Sequence, residues 1–212
     1  MKREFKLHFL ITAGGTREYI DPVRFISNAS TGKMGYALAG AAIAAGHQLI
    51  LITGPTDLRP RKGAKVVNVE TAAEMFDAVK KDFVGCDCLI MAAAVADYTP
   101  AKNRKTKIKK CSGPVTLKLE PTPDIAKWAG LNKKKQVVVG FALEDKAIRA
   151  GAEKKLKDKN LDMIIANTPA AIGADTTSVQ VKTPSGKWLK MPPTTKAAIA
   201  ARIIRLIEML PD

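Results

Sequence analysis

The segment Arg24–Gly35, RFISNASTGKMG, sets Asn28, Ser30, Thr31, Gly32 and Lys33 immediately ahead of an Ala- and Gly-rich stretch that reads as a helix. Such a turn suits an anion. The first backbone N–H groups of a helix lack internal partners and carry the positive end of its dipole. Gly32 would let a phosphate approach the backbone, and Ser30 or Thr31 would add a hydroxyl. The segment is not a P-loop: Ser27 stands where the leading glycine belongs, and Met34 follows Lys33 in place of Ser or Thr. A plain helix cap by Ser30 is the competing reading. It leaves Gly14-Gly15-Thr16, a second turn that exposes its backbone, without a purpose, so these three are candidate phosphate contacts beside Ser30, Gly32 and Lys33.

Other side chains with chemical capacity are scattered. Asp97 leaves an apolar run beside Tyr98, where a carboxylate would hold a ribose hydroxyl or a hydrated Mg²⁺, or bond its own turn. Lys155 and Lys159 are four apart and share a helix face. KNRKTKIKK, residues 102–110, carries six Lys or Arg in nine and no apolar face, which predicts a mobile loop over 100–119. A lysine-rich loop of this kind, with a lid over 100–113, could close on a polyphosphate. No Ser-His-Asp, Cys-His or paired-carboxylate pattern is legible, so catalysis would work by positioning and charge stabilisation. Cys86, Cys88 and Cys111 form no even framework, and His8 and His47 are the chain's histidines; a zinc site is not expected, and Cys88 is expected to pack as a small apolar residue.

These residues need a scaffold, and the hydrophobic pattern supplies one. Strands are predicted at 7–13, 48–53, 65–69, 88–94, 136–142 and 162–166, alternating with helices at 34–45, 72–83, 122–131 and 145–158. Thr71 and Glu74 read as a capping box, and Gly46 as a helix stop. A hairpin over 178–191 and a helix over 194–210 close the chain. The pattern predicts an α/β fold: a doubly wound, mostly parallel, Rossmann-like sheet with a C-terminal β-hairpin, formed as a single domain over 1–212. In such a sheet ligands bind beyond the carboxyl ends of the strands. Gly14-Gly15, Gly54-Pro55, Asp97 and Glu144-Asp145 each leave such an end.

Composition narrows the classes. The apolar runs are too short to cross a bilayer, and the basic start runs into a strand without a cleavage site, so a cytoplasmic protein is expected. Lys133-Lys134-Lys135 is expected to be solvated. The formal charge of +15 favours anionic partners without choosing between nucleic acid and phosphorylated metabolites. The basic loop lacks the interleaved aromatics of a nucleic-acid surface. AGGTRE after the first strand is not G-x-G-x-x-G, and Thr53-Gly54-Pro55 replaces the acidic residue of a dinucleotide site.

Taken together and in order, ITAGGTREYIDPVRFISNASTGKMG, AAAVADY, KIKK, PTPDI, VVGFALE and KNLDMIIAN resemble the phosphopantothenoylcysteine synthetases (phosphopantothenate–cysteine ligases) of coenzyme A biosynthesis, from Leu7 to Leu210. The resemblance implies a ligase that uses CTP with Mg²⁺ in its bacterial branch, ATP being the eukaryotic choice. The carboxylate of 4'-phosphopantothenate attacks the α-phosphate and releases pyrophosphate. The amine of L-cysteine then displaces CMP from the acyl-cytidylate. By position, the resemblance gives catalytic roles to Asn28, at the acyl-nucleotide, and to Lys107, on the lid. Met91, Ala92, Ala93, Asp97, Pro123, Asp124, Ile125, Ala126, Phe141, Lys155 and Lys159 fall on nucleotide positions. It implies a homodimer with Arg24 near the interface; it assigns no metal ligands, and it implies no flavin, nucleic acid or membrane. Bacterial members often carry a flavin-dependent decarboxylase ahead of the first strand, so a stand-alone ligase and an excised one both fit this start.

Overall fold

The computed structural model describes residues 6–210. In chain order these form β1 (His8–Ala13), β2 (Arg17–Tyr19), β3 (Phe25–Ser27), α1 (Lys33–Ala44), β4 (Gln48–Thr53), β5 (Ala64–Asn68), α2 (Ala72–Phe83) and β6 (Cys88–Met91). Then follow β7 (Tyr98–Pro100), β8 (Leu119–Pro121), α3 (Ile125–Asn132), β9 (Val137–Leu143), α4 (Ile148–Asp158), β10 (Met163–Asn167), a 3₁₀ turn (Pro169–Ala171), β11 (Thr176–Lys182), β12 (Leu189–Thr195) and α5 (Lys196–Glu208).

An eight-stranded sheet has the order β12-β11-β10-β9-β6-β1-β4-β5. The strands from β10 to β5 pair in parallel; β11 and β12 add an antiparallel edge. Parallel strands covered on both faces are apolar throughout, as β1 shows: Phe9, Ile11 and Ala13 enter one core and Leu10 the other. The first core packs α1 and α5 against the sheet, and the second packs α2, α3 and α4. From β1 the chain winds outward through β4 and β5; from β6 it winds the other way, through β9 and β10. The switch in order falls between β1 and β6.

The expected caps are present. Thr71 and Glu74 form the capping box of α2, and Gly46 follows α1 at φ +89°. The boundaries differ in instructive ways. The fourth main strand ends at Met91 and not Ala94, because the chain bends into the site there. Helix α3 starts at Ile125 with Asp124 as its cap, not at Thr122, and α4 starts at Ile148 after Ala147. Strand β12 runs through Pro192-Pro193, which an edge strand tolerates since a missing N–H costs it no ladder partner on the open side. Lys133, expected in solvent, bonds Asp162 at 2.6 Å.

Two small hairpins lay outside the predicted pattern: β2 with β3, and β7 with β8. The basic loop springs from the second and is strapped to the first. Buried Asp21 accepts from the amide of Ile108 at 3.1 Å, Arg24 donates to the carbonyl of Ile108 at 2.7 Å, and the amide of Arg104 donates to Ile20 O at 3.1 Å. A loop expected to be free is thus held at its midpoint, by partners some 80 residues away that no local pattern reveals.

Candidate active site

A cavity of about 710 Å³ opens at the carboxyl ends of β6, β9 and β10. The segment 28–34 forms one wall, 91–97 the next, 122–126 a third; Phe141, Lys155, Lys159, the turn 171–173 and Lys196 complete it.

The 28–34 wall is held from behind. Ser27 Oγ donates to Thr16 O at 2.7 Å, and Asn28 Nδ2 donates to Val95 O at 2.9 Å, which ties the end of β3 to the exit of β6. Gly32 adopts φ +74° as the residue before α1 and gives the helix no side-chain cap; the first turn holds no acidic residue. Ser30 Oγ accepts from the Gly32 amide at 3.3 Å, so it shapes the turn and does not cap the helix. The N-terminus of α1 therefore meets the cavity with its amides and dipole uncompensated by any side chain.

Of the residues singled out from sequence, Asn28, Ser30, Gly32, Lys33, Met91, Ala92, Ala93, Asp97, Pro123, Asp124, Ile125, Ala126, Phe141, Lys155 and Lys159 line this one cavity. Gly14, Gly15 and Thr16 do not. Their bend is buried under the wall, where loops cross too closely for side chains. A Cβ on Gly54 would overlap the carbonyl of Gly15, one on Gly32 would come within 3.3 Å of Gly14 N, and Thr16 Oγ1 accepts from the Ala96 amide at 2.9 Å. The bend lies behind the cavity wall and contributes no residue to the lining. Lys107 lies on the exposed part of the basic loop, away from the lining.

The electrostatics of the lysines are specific. Lys33 Nζ bonds Asp175 at 2.6 Å and Gly173 O at 3.0 Å. That salt bridge holds the Asp175 carboxyl below its usual range. Lys159 bonds Asp124, which also caps α3 by accepting from the Lys127 amide at 3.0 Å. Lys155 approaches Glu144 Oε1 at 2.8 Å, as an ion pair without hydrogen-bond geometry, and that buried oxygen has no other partner. Asp97 is exposed at the rim, and its backbone carbonyl accepts from Thr122 at 2.9 Å. No group of three or more His, Cys, Asp or Glu that would cage a metal occurs among the described residues. Cys88 is buried as expected; burial pushes the Cys86 thiol up to about 12 and Cys88 well above its ordinary value, so neither is a nucleophile at neutral pH. No helix among the described residues is long and apolar enough to cross a membrane.

Sequence reasoning missed Lys196 and the 171–175 turn. The first had a signal. Lys196, Ile199, Ala200, Ile203, Ile204 and Ile207 fall on one stripe of α5, so a lysine occupies a core position. The turn had none, since Ala171–Asp175 carries a single charged residue and no motif.

The chain is similar to known proteins over nearly its whole length. The chain is 46% identical over 208 residues to the coenzyme A biosynthesis bifunctional protein CoaBC of Bacillus subtilis, covering 96% of this chain and 51% of that protein. It is 47% identical to a cysteine/cysteine sulfinic acid decarboxylase from an unknown prokaryotic organism, covering 94% and 57%. The chain thus spans little more than half the length of these relatives. The crystal structure of the C-terminal domain of a coenzyme A biosynthesis bifunctional protein CoaBC superposes with a TM-score of 0.85 at 41% identity, covering 96% of this chain and 94% of that one. Residues 5–210 match the family described as the DNA/pantothenate metabolism flavoprotein C-terminal domain, and the chain, with its eight-stranded sheet and its cavity at the switch in strand order, belongs to that family.

Proposed function

We propose that this domain is a phosphopantothenate–cysteine ligase, joining 4'-phosphopantothenate to L-cysteine with CTP. The observation that carries the reading is the cavity itself. It gathers Asn28, the uncapped start of α1, the exit of β6 and the Lys155–Lys159 face into one space, and those segments are the ones whose motifs resemble the ligases. The names of the relatives fit a place in coenzyme A biosynthesis. The decarboxylase name borne by one relative belongs to a longer protein, of which this chain matches 57%; the word flavoprotein in the family description likewise names proteins of which this is the C-terminal part. We assign no flavin to this domain.

In this reading the chain works by holding and orienting. The amides at the start of α1 take phosphate oxygens of CTP, and Lys155 and Lys159 exchange their carboxylate partners for the nucleotide. The pantothenate carboxylate attacks the α-phosphorus, an acyl–phosphate bond forms, and the bond to pyrophosphate breaks. The amine of cysteine then attacks the acyl carbon; CMP leaves and the amine loses a proton. Asn28 orients the planar acyl group through its amide. Lys107, on the strapped loop, comes over the intermediate when the loop closes. Mg²⁺ would come with the triphosphate, and Asp97, exposed at the cavity rim, is a carboxylate that would hold it through water; bound there it would offset phosphate charge.

The protein would act in the cytoplasm as a homodimer. Its interface is assigned to the β2–β3 hairpin that carries Arg24, where Val23 and Phe25 stand 58% and 42% exposed. The testing experiment measures pyrophosphate release from CTP or ATP, with and without 4'-phosphopantothenate and L-cysteine. Release with CTP that requires phosphopantothenate, followed by amide product once cysteine is added, is the expected result. Absence of release with either nucleotide would end the ligase reading.

A further inference from the structure

Four lysines line the cavity: Lys33, Lys155, Lys159 and Lys196. Three of them face a carboxylate, with Asp175 at 2.6 Å, Glu144 at 2.8 Å and Asp124 at 2.9 Å respectively. Lys196 makes no such pair among the described residues. Its Nζ donates to one backbone carbonyl, Ala171 O, at 3.0 Å, although the residue is only 8% exposed. An ammonium has three donors, so two remain unspent. Burial without a directly bonded carboxylate disfavours the charged form; here desolvation lowers the pKa, Lys33 adds to the effect and the charge of Asp175 opposes it. As a packing residue Lys196 is a poor choice, because its place on the stripe of α5 would suit any aliphatic side chain.

Its surroundings give it a purpose. Lys196 opens α5 as Lys33 opens α1, and the turn between β10 and β11 passes both. Gly173 O and Asp175 accept from Lys33, and the amide of Lys196 donates to Asp175 O at 3.0 Å. One corner of the cavity therefore holds two ammonium groups and an uncapped helix start against a single carboxylate. That excess of positive charge suits an anion carrying more than one negative charge.

We propose that Lys196 contacts the substrate directly, holding the β- and γ-phosphates of the nucleotide at this corner and then the pyrophosphate they become. The proposal deepens the ligase reading and rests on it only for the identity of the anion. Isothermal calorimetry with pyrophosphate, CTP and CMP, on the wild type, Lys196→Met and Lys196→Arg, tests it alongside melting temperatures. Losing a charge-assisted hydrogen bond in Lys196→Met should weaken pyrophosphate and CTP by roughly tenfold or more while CMP changes by less than about twofold. The melting temperature should stay level or rise, since removing a buried, unpaired charge in favour of an apolar side chain is neutral or stabilising. Lys196→Arg should recover part of the affinity. Unchanged affinity for pyrophosphate in Lys196→Met, an equal loss for CMP, or a wild type that does not bind pyrophosphate would overturn the proposal. So would a melting temperature falling in step with affinity, which would reduce Lys196 to a prop for the Ala171 carbonyl. Pyrophosphate binding needs neither phosphopantothenate nor cysteine, so a wild type that binds it yet forms no amide would defeat the ligase reading and leave this one standing.

Discussion

With its Nδ2 donated to Val95 O at 2.9 Å, Asn28 presents the cavity with an acceptor oxygen and one spare amide hydrogen. A neutral group with both capacities can orient an acyl-phosphate anhydride without repelling it. Asn28→Asp keeps the size, removes the donor and adds a charge beside an anionic intermediate. Pyrophosphate release should stay within about tenfold of wild type, whereas amide formation should fall by roughly a hundredfold, as loss of a single oriented donor at a reacting carbonyl does elsewhere. Mass spectrometry should then find acyl-cytidylate accumulating. Equal damage to both half-reactions would remove Asn28 from this role.

At the scale of elements, the β2–β3 hairpin does two jobs. Its end delivers Asn28 to the cavity, and its turn straps the basic loop through Asp21, Arg24 and Ile108. Burial alone would raise the pKa of Asp21. The guanidinium of Arg24 and the amides of Val23, Ile108 and Arg24 outweigh it and hold the carboxyl below the usual carboxylate range. A carboxyl whose folded pKa is depressed contributes stability that is present above its unfolded pKa, near 4, and lost as pH falls through the folded value. The strap should therefore persist unchanged from neutral pH down to about pH 4 and open only in stronger acid. Asp21→Asn should open it at neutral pH, seen as several-fold faster tryptic cleavage between Lys102 and Lys110, since local opening exposes the chain to the protease. Cleavage at the wild-type rate would show that the loop needs no strap.

For the whole molecule, the +15 charge and the exposed hairpin act over longer range. Val23 and Phe25 are among the exposed large apolar side chains, as are Val84, Leu131 and Met209 elsewhere, and Arg17 stacks over Phe25 with its guanidinium carbon 4.6 Å from the ring centroid. Light scattering should find a dimer for the wild type and a monomer for Phe25→Glu, because a buried unpaired carboxylate opposes association by several kcal/mol. A monomeric wild type would leave the hairpin without a partner. A net charge of +15 raises the concentration of anions around the molecule through a field that salt screens within about 10 Å at moderate ionic strength.

The order of strands and helices was legible because parallel strands covered on both faces must be apolar throughout, and helices that cover them must show a stripe. Gly32 and Asp97 could be picked out as residues next to the ends of such elements, and Asn28 by its place in the motif that resembles the ligases; all three line the cavity. What the sequence could not decide was which bends face ligand and which face each other. Gly14, Gly15 and Thr16 have the composition of a phosphate turn, yet they pack against Gly54 and Ala96, because backbone crossing backbone demands the same small residues that a phosphate does. Lys196 shows in the sequence only as a lysine on the apolar stripe of α5; that this stripe begins at the cavity appears once the helix is laid against the sheet. Local pattern determines which face of an element is apolar; only the tertiary fold determines what stands opposite that face, and a site is made of what stands opposite.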